Sequence, residues 1–233
     1  MQPPLRIVML AYHGMTQLDL TAPFEVFARI VGAEIEIVAK NGRRAVRDSS
    51  GLNIMPTNSF GGIGGCEVLF VPGGPGQLDL MEDVETIDFL QRVAPTARYV
   101  TSVCTGSLIL AAAGLLKGYR ATCHWLSLPQ LALLGAIPVE ERVVVDRNRI
   151  TGAGVTSGLD FALEVAAELV GEEEARRIAL AIEYEPAPPF RPRAEESPEL
   201  VEQVRQGTAA FQARREEVAR RVGERLLRKP PAT

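Results

Sequence analysis

The chain has 233 residues, 46% hydrophobic and 23% charged, with 21 glycines and 16 prolines, proportions that exclude a low-complexity, collagen-like or disordered polymer. Its formal net charge of −4 lacks the basic excess that neutralises a row of phosphates, so nucleic acid is not an expected partner. Two histidines and no Cys-x-x-Cys pair leave no multi-histidine or zinc site, so no metal is expected. Three cysteines make a poor disulfide framework and fit a reducing compartment, the cytoplasm. The segment from Met1 through Pro3-Pro4 into an apolar strand lacks a signal peptide's long apolar region. No run reaches the roughly 18 apolar residues of a membrane span.

Short Val/Ile-rich runs alternate with longer helical patterns, the rhythm of βαβ units around a largely parallel sheet. The pattern predicts strands at Leu5–Leu10, Glu34–Ala39, Val68–Val71, Tyr99–Val103 and Arg142–Val145, with Arg149–Thr151 returning after an Asp146-Arg147-Asn148 turn. Helices are predicted at Pro23–Val31 behind a Thr21 cap, Glu82–Val93, Gly106–Ala113, and Ser157–Leu169 closed by Gly171. Phe60–Gly65 is glycine-rich but precedes a strand, so it reads as a loop rather than a dinucleotide fingerprint.

Glu185–Pro198 is too proline-rich for a helix or central strand and reads as an extended connector. A last helix follows, with an apolar stripe of Val201, Val204, Phe211, Val218, Val222 and Leu226. Arg214, Arg215, Arg220, Arg221 and Arg225 are assigned to its remaining surface. From Pro198 onward eight basic residues face five acidic ones, so the rest of the chain is the more acidic part. The helix is expected to dock on that acidic body or on a partner subunit. The organisation read from this is an α/β domain over 1–190 and a connector with an amphipathic helix over 191–233.

The sharpest chemical signal is the passage from Tyr99–Val103 through Cys104, Thr105 and Gly106 into a helix. A strand-to-helix elbow of this kind presents a side chain at the carboxyl end of the sheet, and unpaired N–H groups at the helix start are expected to favour a thiolate. Asp19 lies after the first strand, just ahead of the predicted helix, where it serves either as proton-transfer partner or as a plain helix cap. Gly73 and Gly74, after the Val68–Val71 strand, are candidate substrate-binding amides that polarise a reacting atom. Cys66 and Cys123 read as structural. His124, beside Trp125, reads either as a neighbour of the thiol or as a hydrogen-bonded core residue.

Several of these segments resemble one family. Thr101–Leu116, Arg120–Trp125, Gln17–Pro23, Leu134–Arg142, Ile150–Leu163 and Glu183–Phe190 are similar to the isonitrile hydratase branch of the ThiJ/PfpI superfamily. The resemblance implies a flavodoxin-like three-layer sandwich, akin to class I glutamine amidotransferases, with a C-terminal helical extension. It also implies a homodimer, no cofactor, and a small isonitrile substrate hydrated to an N-substituted formamide. Catalysis would fall to Cys104, Asp19 and Thr105. Branches resembling PfpI proteases or cofactor-free glyoxalases carry histidine directly after the cysteine; Thr105 stands there in this chain, which weakens both readings. Regulators with a similar sensor domain append paired helix-turn-helix modules, for which the residues after Pro198 are expected to be too few. A ligand-sensing or thiol redox-sensing protein is the non-enzyme alternative.

Overall fold

The computed structural model describes residues 4–190 and 192–228. Its elements in chain order are β1 (Leu5–Leu10), α1 (Gln17–Phe27), β2 (Ala33–Ala39), β3 (Val46–Arg47), β4 (Asn53–Ile54), β5 (Asn58–Ser59), β6 (Val68–Val71), α2 (Gln77–Leu80), α3 (Val84–Val93), β7 (Tyr99–Val103) and α4 (Gly106–Ala112). The order continues with β8 (Arg120–Ala121), α5 (Gln130–Leu133), β9 (Ile137–Pro138), β10 (Val143–Asp146), β11 (Arg149–Gly152), α6 (Gly158–Val170), α7 (Glu172–Ala181) and α8 (Pro198–Arg228).

Seven strands form one sheet in the order β10-β11-β7-β6-β1-β2-β5, parallel throughout except for the β10–β11 hairpin. The inner strands β6 and β7 are buried along their whole length; β6 is accordingly an unbroken apolar run, and in β7 the buried hydroxyls of Thr101 and Ser102 bond the Leu69 carbonyl and the Ser107 hydroxyl. Helices α1, α6 and α7 pack together on one side, and α4, with α3, α5 and α8, on the other, giving a flavodoxin-like three-layer sandwich. Between sheet and first layer, Phe27, Phe70 and Phe161 meet at centroid distances of 5.6–6.5 Å. The chain leaves β1 for β2 on one side and returns to β6 on the other. That reversal opens a crevice at the carboxyl ends of β1, β6 and β7, where sheets of this type bind ligands.

Three expectations need correction. First, α1 starts at Gln17 rather than Pro23, so Asp19 lies within its first turn rather than ahead of it. Thr21 is not its cap, since its hydroxyl bonds Gln17 Oε1 inside the helix. Pro23 looks like a first-turn residue but sits in the interior, where burial of Leu20, Val26 and Phe27 outweighs the lost N–H. Second, the helix expected from Glu82 starts at Val84, because Asp83 turns outward to accept the Thr86 N–H, and the separate α2 precedes it. Third, α7 was not anticipated; its three leading glutamates suit a helix N-terminus, but only Ala175 and Ile178 are buried, too sparse a stripe to read.

The terminal helix lies along α4 and α5 of its own chain. Val218, Ala219, Val222 and Gly223 are buried, and a Cβ on Gly223 would stand 2.0 Å from the Leu133 carbonyl oxygen, so glycine permits the close approach. Arg221 and Arg225 both pair with Glu82 of the body. Arg191 and residues 229–233 of the expected 191–233 segment, and residues 1–3, lie outside the described residues. Among the described residues no helix is long and apolar enough to cross a membrane, and no group of three or more His, Cys, Asp or Glu side chains could hold a metal ion.

Candidate active site

Cys104 occupies a sharp turn between β7 and α4 with φ +57°, a left-handed conformation that costs a non-glycine residue energy and must be held by its surroundings. Its N–H is clamped by the Gly152 and Ala153 carbonyls, at 3.1 and 2.7 Å, at the end of β11. Gly106 is indispensable to this turn, since a Cβ there would lie 2.1 Å from the Val71 carbonyl oxygen. Such an elbow directs the sulfur towards the loops after β1 and β6 rather than into the sheet.

Asp19, from the first turn of α1, meets Cys104 there. It is completely buried. One carboxylate oxygen accepts the Gly73 N–H at 3.0 Å; the other has no partner among the described residues. Burial lifts the Asp19 pKa to about 7, against hydrogen bonds from Cys104 and Gly73 that favour the carboxylate. The Cys104 thiol is pushed well above its ordinary range by burial and by the Asp19 charge, which outweigh the Thr105 N–H aimed at the sulfur. The expected helix-start thiolate is therefore not the resting form. Burial and the Asp19 charge favour the protonated thiol, and Asp19, its pKa lifted to about 7, is the group able to take that proton.

The glycine loop supports this pair. Gly73 N–H is engaged with Asp19, while Gly74 N–H donates to the Thr105 hydroxyl, which reaches back to the Gly74 carbonyl. The amides proposed from sequence as substrate contacts thus hold Asp19 and Thr105 in place, and the Thr105 hydroxyl ties the β6 loop to the elbow. A Cβ on Gly73 would lie 2.5 Å from Thr105 N and 2.8 Å from Asp19, so any side chain there would part the two.

His124 does not bond Cys104. Its Nδ1 accepts the Leu126 N–H, capping the Trp125–Ser127 turn, and partial burial together with Arg215 lowers its pKa, so it stays neutral as a half-buried, hydrogen-bonded residue. Cys66 and Cys123 are buried thiols; burial drives Cys66 up to about 12 and Cys123 higher still.

Tyr12, Gln77 and Arg215 escaped the sequence reading. Tyr12 is buried beside the pair and donates to the Pro72 carbonyl at 3.0 Å. It also walls a cavity of about 840 Å³ together with His13, Gly76, Leu78, Lys40 and Arg214. Cys104 is not among that cavity's walls. Arg215 belongs not on the helix surface but in the interior, 4% exposed, bonded to Gln77, Ser127 and Gln212. The signal was present in the spacing, because position 215 falls in register with Phe211, Val218 and Val222 on the apolar stripe.

With the site described, comparison with known proteins gives its setting. The model of the DJ-1/PfpI family matches residues 5–168. The chain belongs to the DJ-1/PfpI family. An isonitrile hydratase of Pseudomonas putida is 45% identical over 224 residues, covering 95% of this chain and 98% of the relative. A ThiJ/PfpI family protein from Pseudomonas syringae superposes with a TM-score of 0.88 at 47% identity, over 93% of this chain and 91% of the other. The transcriptional regulator GbdR of Pseudomonas aeruginosa is 32% identical over 77% of this chain, which spans only 49% of the regulator. The family match ends within α6, whereas the hydratase alignment is long enough to include Arg215 on α8.

Proposed function

We propose that this DJ-1/PfpI family member is an isonitrile hydratase that uses Cys104 as nucleophile and Asp19 as acid/base, without a cofactor. The observation that carries the proposal is the buried Asp19–Cys104 pair, a neutral thiol beside a carboxyl poised near 7. The near full-length similarity to a named isonitrile hydratase supplies the substrate class.

An isonitrile carbon is both electrophile and carbene-like base, so it must receive a nucleophile and a proton. As the Cys104 sulfur bonds to that carbon, Asp19 takes the thiol proton and returns it to the same carbon, giving the thioimidate R–N=CH–S–Cys104. Asp19, again a carboxylate, then draws a proton from water as the oxygen adds to the thioimidate carbon, and passes that proton to nitrogen, returning to the carboxylate. Collapse of the R–NH–CH(OH)–S adduct breaks the C–S bond, releases the formamide R–NH–CHO, and restores the thiol. Thr105 and the Gly73 and Gly74 amides keep thiol and carboxyl together.

A redox-sensing role fits less well, since it needs a thiolate open to oxidant and Cys104 is 4% exposed with a raised pKa. The homodimer and the cytoplasmic location belong to the same reading; light scattering tests the former. The deciding experiment adds cyclohexyl isonitrile to the purified protein and follows formamide by mass spectrometry. Turnover that disappears in Cys104→Ala is expected; undiminished turnover in that variant would discard the mechanism.

A further inference from the structure

We propose that Arg215 is a positioning residue of the Cys104 site: its guanidinium fastens the loop after β6 to the turn after Cys123 and sets a fixed positive charge beside the reacting sulfur. The proposal rests on Cys104 being the reacting group, not on the identity of the substrate.

Three observations combine. Arg215 Nε donates to Gln77 Oε1 at 2.8 Å, and Nη1 donates to Ser127 Oγ at 2.9 Å and to Gln212 Oε1 at 3.2 Å. Gln77 directly follows the Pro72–Gly76 loop whose amides hold Asp19 and Thr105, and Ser127 ends the turn that follows Cys123 and His124. One side chain from α8 therefore bridges two loops of the α/β body. Second, the neighbouring arginines Arg220, Arg221 and Arg225 are half-exposed and each pairs with a glutamate, whereas Arg215 is 4% exposed and its charged or ionisable neighbours are Cys104, Cys123 and Tyr12. A stripe position that only had to pack would be served by leucine or methionine, without the cost of burying an unneutralised cation. Third, negative charge on the sulfur appears only transiently, as the thiol gives up its proton to Asp19; a cation held by neutral amide and hydroxyl groups keeps its full field for that moment. The groups acting on the thiol are Asp19, which opposes its ionisation, Cys123 and the Thr105 N–H; Tyr12 and Arg215 couple to it through space, and neutral His124 makes no bond to it. Arg215 is the one cation in that set.

The test compares full-length wild type with Arg215→Gln, which keeps length and some hydrogen bonding but no charge, and Arg215→Lys, which keeps charge but not the fork. Iodoacetamide modification of Cys104 is followed by peptide mass spectrometry across pH, alongside thermal melts and isonitrile turnover. In Arg215→Gln, half-limiting alkylation is expected to move up by about one pH unit and kcat to fall at least about tenfold with little change in KM. Arg215→Lys should recover the alkylation profile but only part of kcat. A folded Arg215→Gln with the wild-type profile and kcat would overturn the proposal, as would Lys and Gln variants that differ from wild type only in melting temperature. If Arg215→Gln does not fold, Gln77→Leu is read instead: reduced kcat with an unmoved alkylation profile supports the clamp, and wild-type kcat overturns it. Wild type that alkylates but hydrates no isonitrile, with the Arg215→Gln shift intact, would sink the hydratase reading and leave this one standing.

Discussion

Helices α1 and α8 each send one buried charged side chain to the same end of the sheet, and the two charges are held in opposite ways. Asp19 has a single backbone donor, one orphan oxygen and a pKa lifted to about 7 by burial. Arg215 is saturated on two nitrogens by neutral side chains. Asp19 lies inside the span that the DJ-1/PfpI family model matches, and Arg215 in the helix beyond it. A buried carboxyl with few donors can trade a proton; a guanidinium keeps its charge even when buried, and is suited to a constant field.

The largest expected effect breaks the first half of the comparison. Asp19→Asn should lower kcat by about 10²–10⁴, the usual worth of a general acid/base, while stabilising the fold. The stability gain has a defined pH window. Because the folded pKa of about 7 exceeds the ordinary carboxyl value of 3.8, the folded state holds a proton more tightly, so wild-type stability falls as pH rises between those values. The variant's advantage should be small below pH 4 and greatest above pH 7, with a ceiling of roughly 4 kcal/mol. Urea melts at pH 4 and pH 8 check this, and an equal difference at both would contradict a buried acid.

The second test separates the helices. Gly223→Ala places a methyl 2.0 Å from the Leu133 carbonyl oxygen. It should lift the C-terminal half of α8 at a cost of about 1–3 kcal/mol, reducing turnover through the displaced Arg215 while leaving Asp19 in place. Loss of stability with wild-type turnover would show that α8 does not serve the site. A third, gentler probe is pH itself: wild-type kcat/KM should climb through about 7 as Asp19 ionises and level off above it. A flat profile from pH 5 to 9 would remove Asp19 from the proton transfer. The smallest effect is expected from Glu82→Gln, which removes the exposed contacts to Arg221 and Arg225. Less than about 1 kcal/mol should be lost, and less still at high salt.

The βα rhythm, the six principal strands and the elbow were legible because each rests on local signals: apolar runs, a cysteine followed by small residues, and glycines after a buried strand. Boundaries failed where a longer-range force overruled a local one, as when packing of Leu20 and Phe27 carried α1 back past Pro23 to Gln17. The short pairs β3–β4 and β8–β9 were missed because two-residue strands have no period to read.

For the site, sequence reasoning named Cys104, Asp19, Thr105 and the Gly73-Gly74 turn from their positions after β7, β1 and β6, and parallel strands bring such positions to one end. It also determined the acidic body and basic terminal helix that meet at Glu82. Only the tertiary structure decided that the thiol rests protonated, that Asp19 titrates near neutrality, and that Arg215 faces inward. The physical reason is common to all three: local sequence specifies which groups are charged and roughly where the backbone carries them, but solvation is set by every element packed around a group. Desolvation at the crevice, made by α1, the β6 loop, α4 and α8 together, is what turned a chain-order pattern into acid–base chemistry.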